Sequence, residues 1–383
     1  MNEYGDLTQH EIQALKQDYN LADAHTHQSQ SPTQRRIIER LPTIWYESEK
    51  KLQYDSEQRF IYEFFRVQKQ DYALKPNNAL LVYAASIAMA IAANYLMKKK
   101  MSVSLMHPCF DNLHDLLTNM QVPLKPLQEE WLYDPEKIYE NLEKNIKTDA
   151  IFLVDPNNPT GFTLFKHGKV AYKEIIRFCK DKKKLLLIDY CFASFMLPDV
   201  NLDVFDVYEL LEKSGVSYIS IEDTGKTWPV QDAKCALIKT SQNLMKDIYN
   251  IHTSYLLNVS PFILNLLTEY ILDSEKDNFA SVFDLLERNS LTAEKELKGS
   301  LLEFQKPQSK VSVAWFKIKD PKITSTDLQK AILKKGVYVL PGTFFYWNNR
   351  EEGEHFIRIA LARNTELFES AIKLVRKALD QYS

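Results

Sequence analysis

Glycine is scarce in this chain: nine residues in 383, where the usual share is about 7%. So few positions are free to take left-handed backbone or admit a close approach that any tight cradle for a ligand has to use one of them. Gly161 and Gly225 stand beside the polar loops of interest. Cysteine is no richer. Cys109, Cys179, Cys191 and Cys235 form no CxxC pair and have no histidine at ligand spacing, which argues against a disulfide framework and reads as reduced thiols. The tight histidine pair, His25 and His27 in Asp-Ala-His-Thr-His, has no further ligand cluster near it, so no metal site is expected. Long apolar runs are missing as well: the best candidate, Ala79 to Leu96, is broken by Ser86 and Asn94 and does not span a bilayer. The N-terminus, Met-Asn-Glu-Tyr-Gly-Asp-Leu, has no basic region leading into an apolar one. No secretion signal is read there, and a cytoplasmic protein is expected. Neither sign of charge dominates, since 48 Lys+Arg face 51 Asp+Glu for a net charge of −3. That balance speaks against a nucleic-acid or membrane partner and for a small-molecule ligand.

What is present is a globular composition, 45% hydrophobic and 26% charged, in a chain long enough for a large domain and a smaller one. Residues 1–34 form a polar opening segment with a short amphipathic run (Leu7, Ile12, Leu15) that ends at Ser31-Pro32. From Gln34 to Phe65 the pattern is helical, interrupted at Leu41-Pro42. Alternation follows. Strands are expected at 80–83, 103–106, 150–154 and 185–188, and helices at Ile87–Leu96, His114–Met120 and Tyr172–Lys180. Strand, loop and helix repeated in this way predict a mostly parallel sheet covered on both faces, with chemistry at the C-terminal strand ends. After Trp228 the chain reads as helical over Gln242–Leu272 and Phe279–Leu301. The remainder mixes strands (311–318, 336–341, 356–361) with helices (328–333, 367–379), the pattern of a smaller α+β lobe. The expected division is an arm at 1–34, a large domain at 35–265 and a small domain at 266–383.

The stretch from Ser220 to Lys234 concentrates the signals. An apolar approach (Val216, Tyr218, Ile219, Ile221) reads as a buried strand that ends in Asp-Thr-Gly beside Lys226. Such a strand end is a place to present one amine inside a pocket. Other polar residues fall at comparable strand ends. Singly, Asp189 reads as a turn residue, Phe110 as core, Asn158 as a turn former before proline and Arg358 as a strand charge. In order, however, Ser86, Phe110, Asn158, Asp189, Lys226, Lys234 and Arg358 resemble the fold-type I pyridoxal-phosphate enzymes of the aspartate aminotransferase group. The most specific pieces are Asn157-Asn-Pro-Thr-Gly161 and Ile357-Arg-Ile-Ala-Leu-Ala-Arg363. The resemblance implies that Lys226 holds the cofactor aldehyde through its amine and later moves the α-proton. Asp189 pairs with the pyridinium nitrogen, with Cys191 beside it, and Asn158 donates to the phenolic oxygen. Ser86, with the amides of Ala84 and Ala85 at a helix N-terminus, and Lys234 hold the phosphate. Phe110 stacks on the ring, and Arg358 grips the substrate carboxylate with two donors, Asn158 lying alongside.

Two departures narrow the reading. Phe192 stands where aminotransferases commonly carry a tyrosine, three residues after the aspartate, and Asp223 stands where they commonly carry a serine, three before the lysine. An extra carboxylate beside the cofactor suits a cationic substrate tail. With Leu7-Thr-Gln9, Glu11, Asn20, Ala22-Asp23, His25, Gln28 and Ser31-Pro32, with His107-Pro-Cys-Phe-Asp-Asn112, and with Ile221-Glu-Asp-Thr-Gly-Lys226-Thr-Trp-Pro229, the chain is similar to the pyridoxal-phosphate-dependent L-arginine oxidases of enduracididine biosynthesis. That resemblance implies pyridoxal 5'-phosphate as cofactor, dioxygen as co-substrate and an arm that closes over the substrate. Thr8 and His25 would join Lys226 as catalytic groups, while Glu11, Asp23 and Asp223 would join Arg358 and Asn158 in binding substrate. Imidazole suits proton transfer because it titrates near neutral pH. A lid that excludes water also suits chemistry that must avoid wasteful protonation. A homodimer is expected by analogy with the fold. The alternative readings are an aminotransferase for a basic amino acid and a non-catalytic cofactor-binding protein.

Overall fold

The structure, a computed structural model, describes residues 6–75 and 78–382, and of Asp111 the backbone only. Residues 1–5 of the expected arm lie outside the described residues. The arm begins with a helix, Leu7–Ala14, whose N-cap Asp6 accepts the Gln9 amide at 2.7 Å. Leu7, His10 and Ala14, spaced three and four apart, are its buried face. Strand β1 (Tyr19–Asn20) then pairs in parallel with Val337–Tyr338, far along the chain. Ser31-Pro32, read as a stop, is also a start: Ser31 and Gln34 form a capping box for the helix Pro32–Glu39. The helical stretch that follows is three helices, Pro32–Glu39, Leu41–Glu49 and Gln53–Val67, with Pro42 in the first turn of the second, where its missing N–H costs nothing.

The large sheet has seven strands: β2 (Ala79–Val82), β3 (Val103–His107), β4 (Leu124–Gln128), β5 (Ala150–Val154), β6 (Leu185–Asp189), β7 (Tyr218–Asp223) and β8 (Ala236–Thr240). Their order is β2-β8-β7-β6-β5-β3-β4. The run from β7 to β4 is parallel, and β8 is antiparallel to both of its neighbours. Every residue of β3, β5, β6, β7 and β8 is buried, as a parallel sheet covered on both faces requires. The mostly parallel sheet expected from the sequence is therefore present, with two strands the sequence reading did not name. In β4, Lys125 and Pro126 break the apolar run, which an edge strand tolerates. In β8, five residues between a polar loop and a helix carry no period that separates strand from helix.

The remaining strands are β9 (Leu302–Gln305), β10 (Val313–Ile318), β11 (Val337–Tyr338), β12 (Leu340–Pro341) and β13 (Phe356–Ala360). Four of them form an antiparallel sheet in the order β12-β13-β10-β9, while β11 takes β1. The expected helix over Gln242–Leu272 is two, Gln242–Tyr255 and Pro261–Lys276, because Pro261 restarts the backbone at a first helical position. The expected domain boundary at 265/266 falls inside the second of these, which packs on Gln53–Val67. We propose placing the boundary after Lys276 instead. Among the described residues no helix is long and apolar enough to cross a membrane.

Candidate active site

Three strands of the large sheet end at one place. β5 ends at Val154 just before Asp155-Pro156, β6 ends in Asp189, and β7 ends in Asp223 three residues before Lys226. Parallel strands in register bring such ends together. Here they floor a cavity of about 240 Å³ whose walls include Ala84, Ala85, Ser86, Phe110, Asn158, Asp189, Cys191, Asp223, Lys226, Lys234 and Arg358. The arm supplies the opposite wall with Leu7, Thr8, Glu11, Ala24 and His25. Of the site residues expected from the sequence, Asp23 alone does not line the cavity. Met89, Asn112, Val154, Pro156 and Phe192 line it without having been named as site residues.

Asp189 is 1% exposed. Its Oδ1 accepts the Cys191 amide at 2.9 Å, while its Oδ2 is buried with no hydrogen-bond partner among the described residues. Burial pushes its pKa up to about 6, against the lowering effect of the Cys191 hydrogen bond and with a further push from Asp223. A buried carboxylate oxygen without a donor calls for a cationic N–H. The cavity wall also holds Ala84, Ala85 and Ser86, where the helix Ala85–Lys98 starts from Ala84 in extended backbone with no side-chain cap, so its first amides can serve as an anion-binding terminus. Both features fit a ring with a protonated nitrogen at one end and a phosphate at the other.

Lys226 is half-buried, and its Nζ lies 3.4 Å from His25 Nε2; Lys234 Nζ lies 3.5 Å from the same nitrogen. Gly225 permits this crowding. A Cβ there would sit 2.7 Å from Lys234 Cδ and 3.4 Å from the Asp223 carboxylate, and the Asp223 Oδ1 accepts the Gly225 amide at 3.0 Å. Arg358, on β13, is 1% exposed. It donates to Asn158 Oδ1 at 3.1 Å, to Glu11 Oε1 at 3.0 Å and to the Ala22 carbonyl, with its guanidinium 5.1 Å from the Phe345 ring centre. Asn158 thus turns its amide oxygen toward Arg358, which leaves its NH2 as the group that can donate into the cavity.

Asp23 stands behind His25. It is 2% exposed and lies 3.3 Å from His25 Nδ1, 2.9 Å from His27 Nε2 and 3.5 Å from Arg363 Nη2, and it accepts Asn20 Nδ2 at 2.6 Å. Burial alone raises its pKa, but the His25 and His27 hydrogen bonds and the Arg363 charge outweigh this and hold the carboxyl well below the usual range. Arg363 was quoted in the sequence only as part of a motif, and its placement is a finding of the structure. Buried to 3% exposure, it donates to the carbonyls of Asn20, Asp23 and His25 and ties the arm to the chain just after β13. A second arginine closing a string that is apolar apart from Arg358 is the signal that could have found it. Among the described residues no group of three or more histidine, cysteine or carboxylate side chains is arranged to hold a metal ion.

The family model for aminotransferases of class I and II matches residues 51–374. Aspartate aminotransferase from Pyrococcus horikoshii is 25% identical over 273 residues, covering 67% of this chain and 63% of that protein, so the match spans less than two thirds of the relative's length. Among solved structures, that of MppP soaked with the product 2-ketoarginine superposes with a TM-score of 0.85 at 30% identity, covering 94% of this chain and 99% of that one. LysN, the α-aminoadipate aminotransferase of Thermus thermophilus, gives 0.78 at 14% identity, covering 98% and 95%, a likeness of fold alone. The chain belongs to the class I and II aminotransferase family, and with it to the pyridoxal-phosphate-dependent enzymes of that fold.

Proposed function

We propose that the chain oxidises L-arginine with pyridoxal 5'-phosphate and dioxygen, giving 4-hydroxy-2-oxo, 2-oxo or unsaturated arginine derivatives and hydrogen peroxide. The observation that carries this reading is the arm: it brings Thr8, Glu11 and His25 into the cavity that holds Asp223, Lys226 and Arg358. A pocket with two carboxylates, Glu11 and Asp223, besides Asp189, and one buried arginine suits an amino acid that has an α-carboxylate at one end and a cation at the other. Similarity to MppP, studied with 2-ketoarginine, supports arginine as that amino acid.

The cofactor, when bound, supplies an electron sink that acidifies the substrate carbons. In the proposed roles Lys226 holds the cofactor covalently and moves the α-proton, and Asp189 Oδ2 receives its ring N–H. Phe110 would stack on the ring, Cys191 would lie beside Asp189 and the Asn158 NH2 would donate to the ring oxygen. The amides of Ala84 and Ala85, the Ser86 hydroxyl and Lys234 bind the phosphate. Arg358 binds the substrate carboxylate. Because Glu11 sits on the same Nη2 group, an incoming carboxylate competes with Glu11 for it, and a displaced Glu11 joins Asp223 at the guanidinium. His25 takes or gives protons at the oxidised carbons, with Thr8 beside it, and the arm helix excludes water. For each two-electron oxidation dioxygen accepts two electrons and two protons to become peroxide. In forming the 2-oxo group, water replaces the nitrogen, which leaves as ammonia; since both oxygens of each dioxygen leave in peroxide, the 4-hydroxyl takes its oxygen from a second water. The reading includes a homodimer.

The test is an aerobic incubation with L-arginine and no keto acid, followed by an oxygen electrode and mass spectrometry. Oxygen uptake with a 2-oxo or 4-hydroxy-2-oxo product is expected. Amino transfer to pyruvate or 2-oxoglutarate without oxygen uptake would replace this reading by that of an aminotransferase for a basic amino acid.

A further inference from the structure

We propose that Asp23 is a positioning residue, not a substrate ligand: clamped by Arg363, it holds His25 as the tautomer with its proton on Nδ1, so that the Nε2 lone pair faces Lys226. This inference rests on the reading of His25 as a proton-transfer group in the cavity and extends it to what orients that group and to the lysine beside it.

The geometry carries it. On one side of the imidazole a carboxylate lies 3.3 Å from Nδ1; on the other, two lysine ammonium groups lie 3.4 and 3.5 Å from Nε2. With the proton on Nδ1, N–H faces carboxylate and lone pair faces ammonium. With the proton on Nε2, N–H faces two N–H donors and a lone pair faces an anion, which is unfavourable at both ends. Asp23 also accepts the His25 backbone amide at 3.0 Å, so one carboxylate sets both where the residue sits and how its ring is protonated. The carboxylate is in turn immobilised. Asn20 and His27 donate to it, and Arg363 fixes the backbone on either side through the carbonyls of Asn20, Asp23 and His25. On the far side Thr26 donates its hydroxyl to the Trp228 carbonyl at 2.6 Å, which ties the histidine segment to the loop that follows Lys226. A carboxylate occupied on all sides and absent from the cavity wall is poorly placed to receive a guanidinium. In the proton transfer this arrangement supports, an N–H bond of Lys226 breaks as one forms at His25 Nε2, and the resulting imidazolium keeps its Nδ1–H toward Asp23.

Two measurements on the full-length chain test the proposal. The first is the histidine 15N spectrum of the wild type, recorded with cofactor loaded and after its removal, with His25 assigned by the signals lost in His25→Gln. The proton is expected on Nδ1 in both forms, and a proton on Nε2 in either overturns the proposal; this measurement needs no activity and stands whether or not arginine is the substrate. The second is the kinetics of Asp23→Asn with arginine, or with whichever amino acid the wild type turns over. A positioning role lowers kcat about 100-fold with KM within about twofold. A rise of tenfold or more in KM at nearly unchanged kcat makes Asp23 a substrate ligand and overturns the proposal.

Discussion

Lys226, Asp189 and Asp223 stand within one cavity, yet each is set by a different local cause. Lys226 ends half-buried because the strand before it is fully buried and Gly225 lets Lys234 pack beside it. If its amine holds the cofactor covalently, Lys226→Ala abolishes the visible absorption of the bound cofactor while circular dichroism still reports a folded chain. Asp223 is a fold-permitted choice at the end of β7, and its carboxylate is the feature that favours a cationic tail. Asp223→Asn is expected to raise KM for arginine by about tenfold or more, the loss of about 1.5–3 kcal/mol for a hydrogen bond to a charged group, with a smaller effect on kcat. Asp189 carries a pH prediction. Its pKa rises from 3.8 to about 6 on burial, so in the cofactor-free chain it takes up a proton as pH falls through about 6. The anion needed at the ring nitrogen is then lost. Cofactor affinity measured by titration should weaken below about pH 6 for that reason, and Asp189→Asn should bind weakly at all pH values without that inflection.

At the scale of elements, the arm is two things. The helix Leu7–Ala14 packs Leu7 and Ala14 with Trp315, Tyr338, Leu340 and Phe345 and turns Leu7, Thr8 and Glu11 to the cavity, and the segment from β1 to Ser31 is built into the fold. Strand pairing with β11, the three Arg363 bonds to arm carbonyls and the capping box at Ser31 hold it. Arg363→Ala removes the cation beside a buried carboxylate, a change that typically costs about 3–5 kcal/mol. It is expected to lower the denaturation midpoint and to speed amide exchange over residues 19–27 at least tenfold, while exchange in β5 and β6 follows only the global loss. Equal acceleration everywhere would show that Arg363 supports the whole fold and not the arm in particular.

For the whole molecule, the buried carboxyl groups of the large domain set the pH dependence of stability. Burial raises Glu222 from 4.5 to about 8, against the hydrogen bonds of Tyr208 and Gln68, and Asp155 from 3.8 to about 7, against those of Thr163 and Tyr172. A carboxyl group whose pKa is higher folded than unfolded binds more protons in the folded state between the two values. Its contribution to stability therefore falls as pH rises through that window, from about 4.5 to about 8 for Glu222. The cofactor-free chain should lose denaturant resistance over this range, and Glu222→Gln should flatten the slope, as read from urea midpoints at several pH values. The physics that places these groups also marks what the sequence alone determines. Apolar runs separated by polar loops are local, so the α/β alternation, the parallel strands β3, β5, β6 and β7 and the clustering of Asp189, Asp223 and Lys226 at strand ends could be read directly. The order Ser86 to Arg358 could be read too, through its resemblance to the fold-type I pyridoxal-phosphate enzymes. The antiparallel entry of β8 was not legible, nor was the continuity of Pro261–Lys276 across the expected boundary, since short apolar segments carry no register. Nor could the sequence say that Glu11 rests on Arg358, or that Asp23 lies behind His25 in the grip of Arg363 and not on the cavity wall. Those contacts join residues more than 300 positions apart, and which of the two arm carboxylates, Glu11 or Asp23, lines the cavity is decided only when β1 pairs with β11 and the Leu21 carbonyl accepts the Ala360 amide at the end of β13.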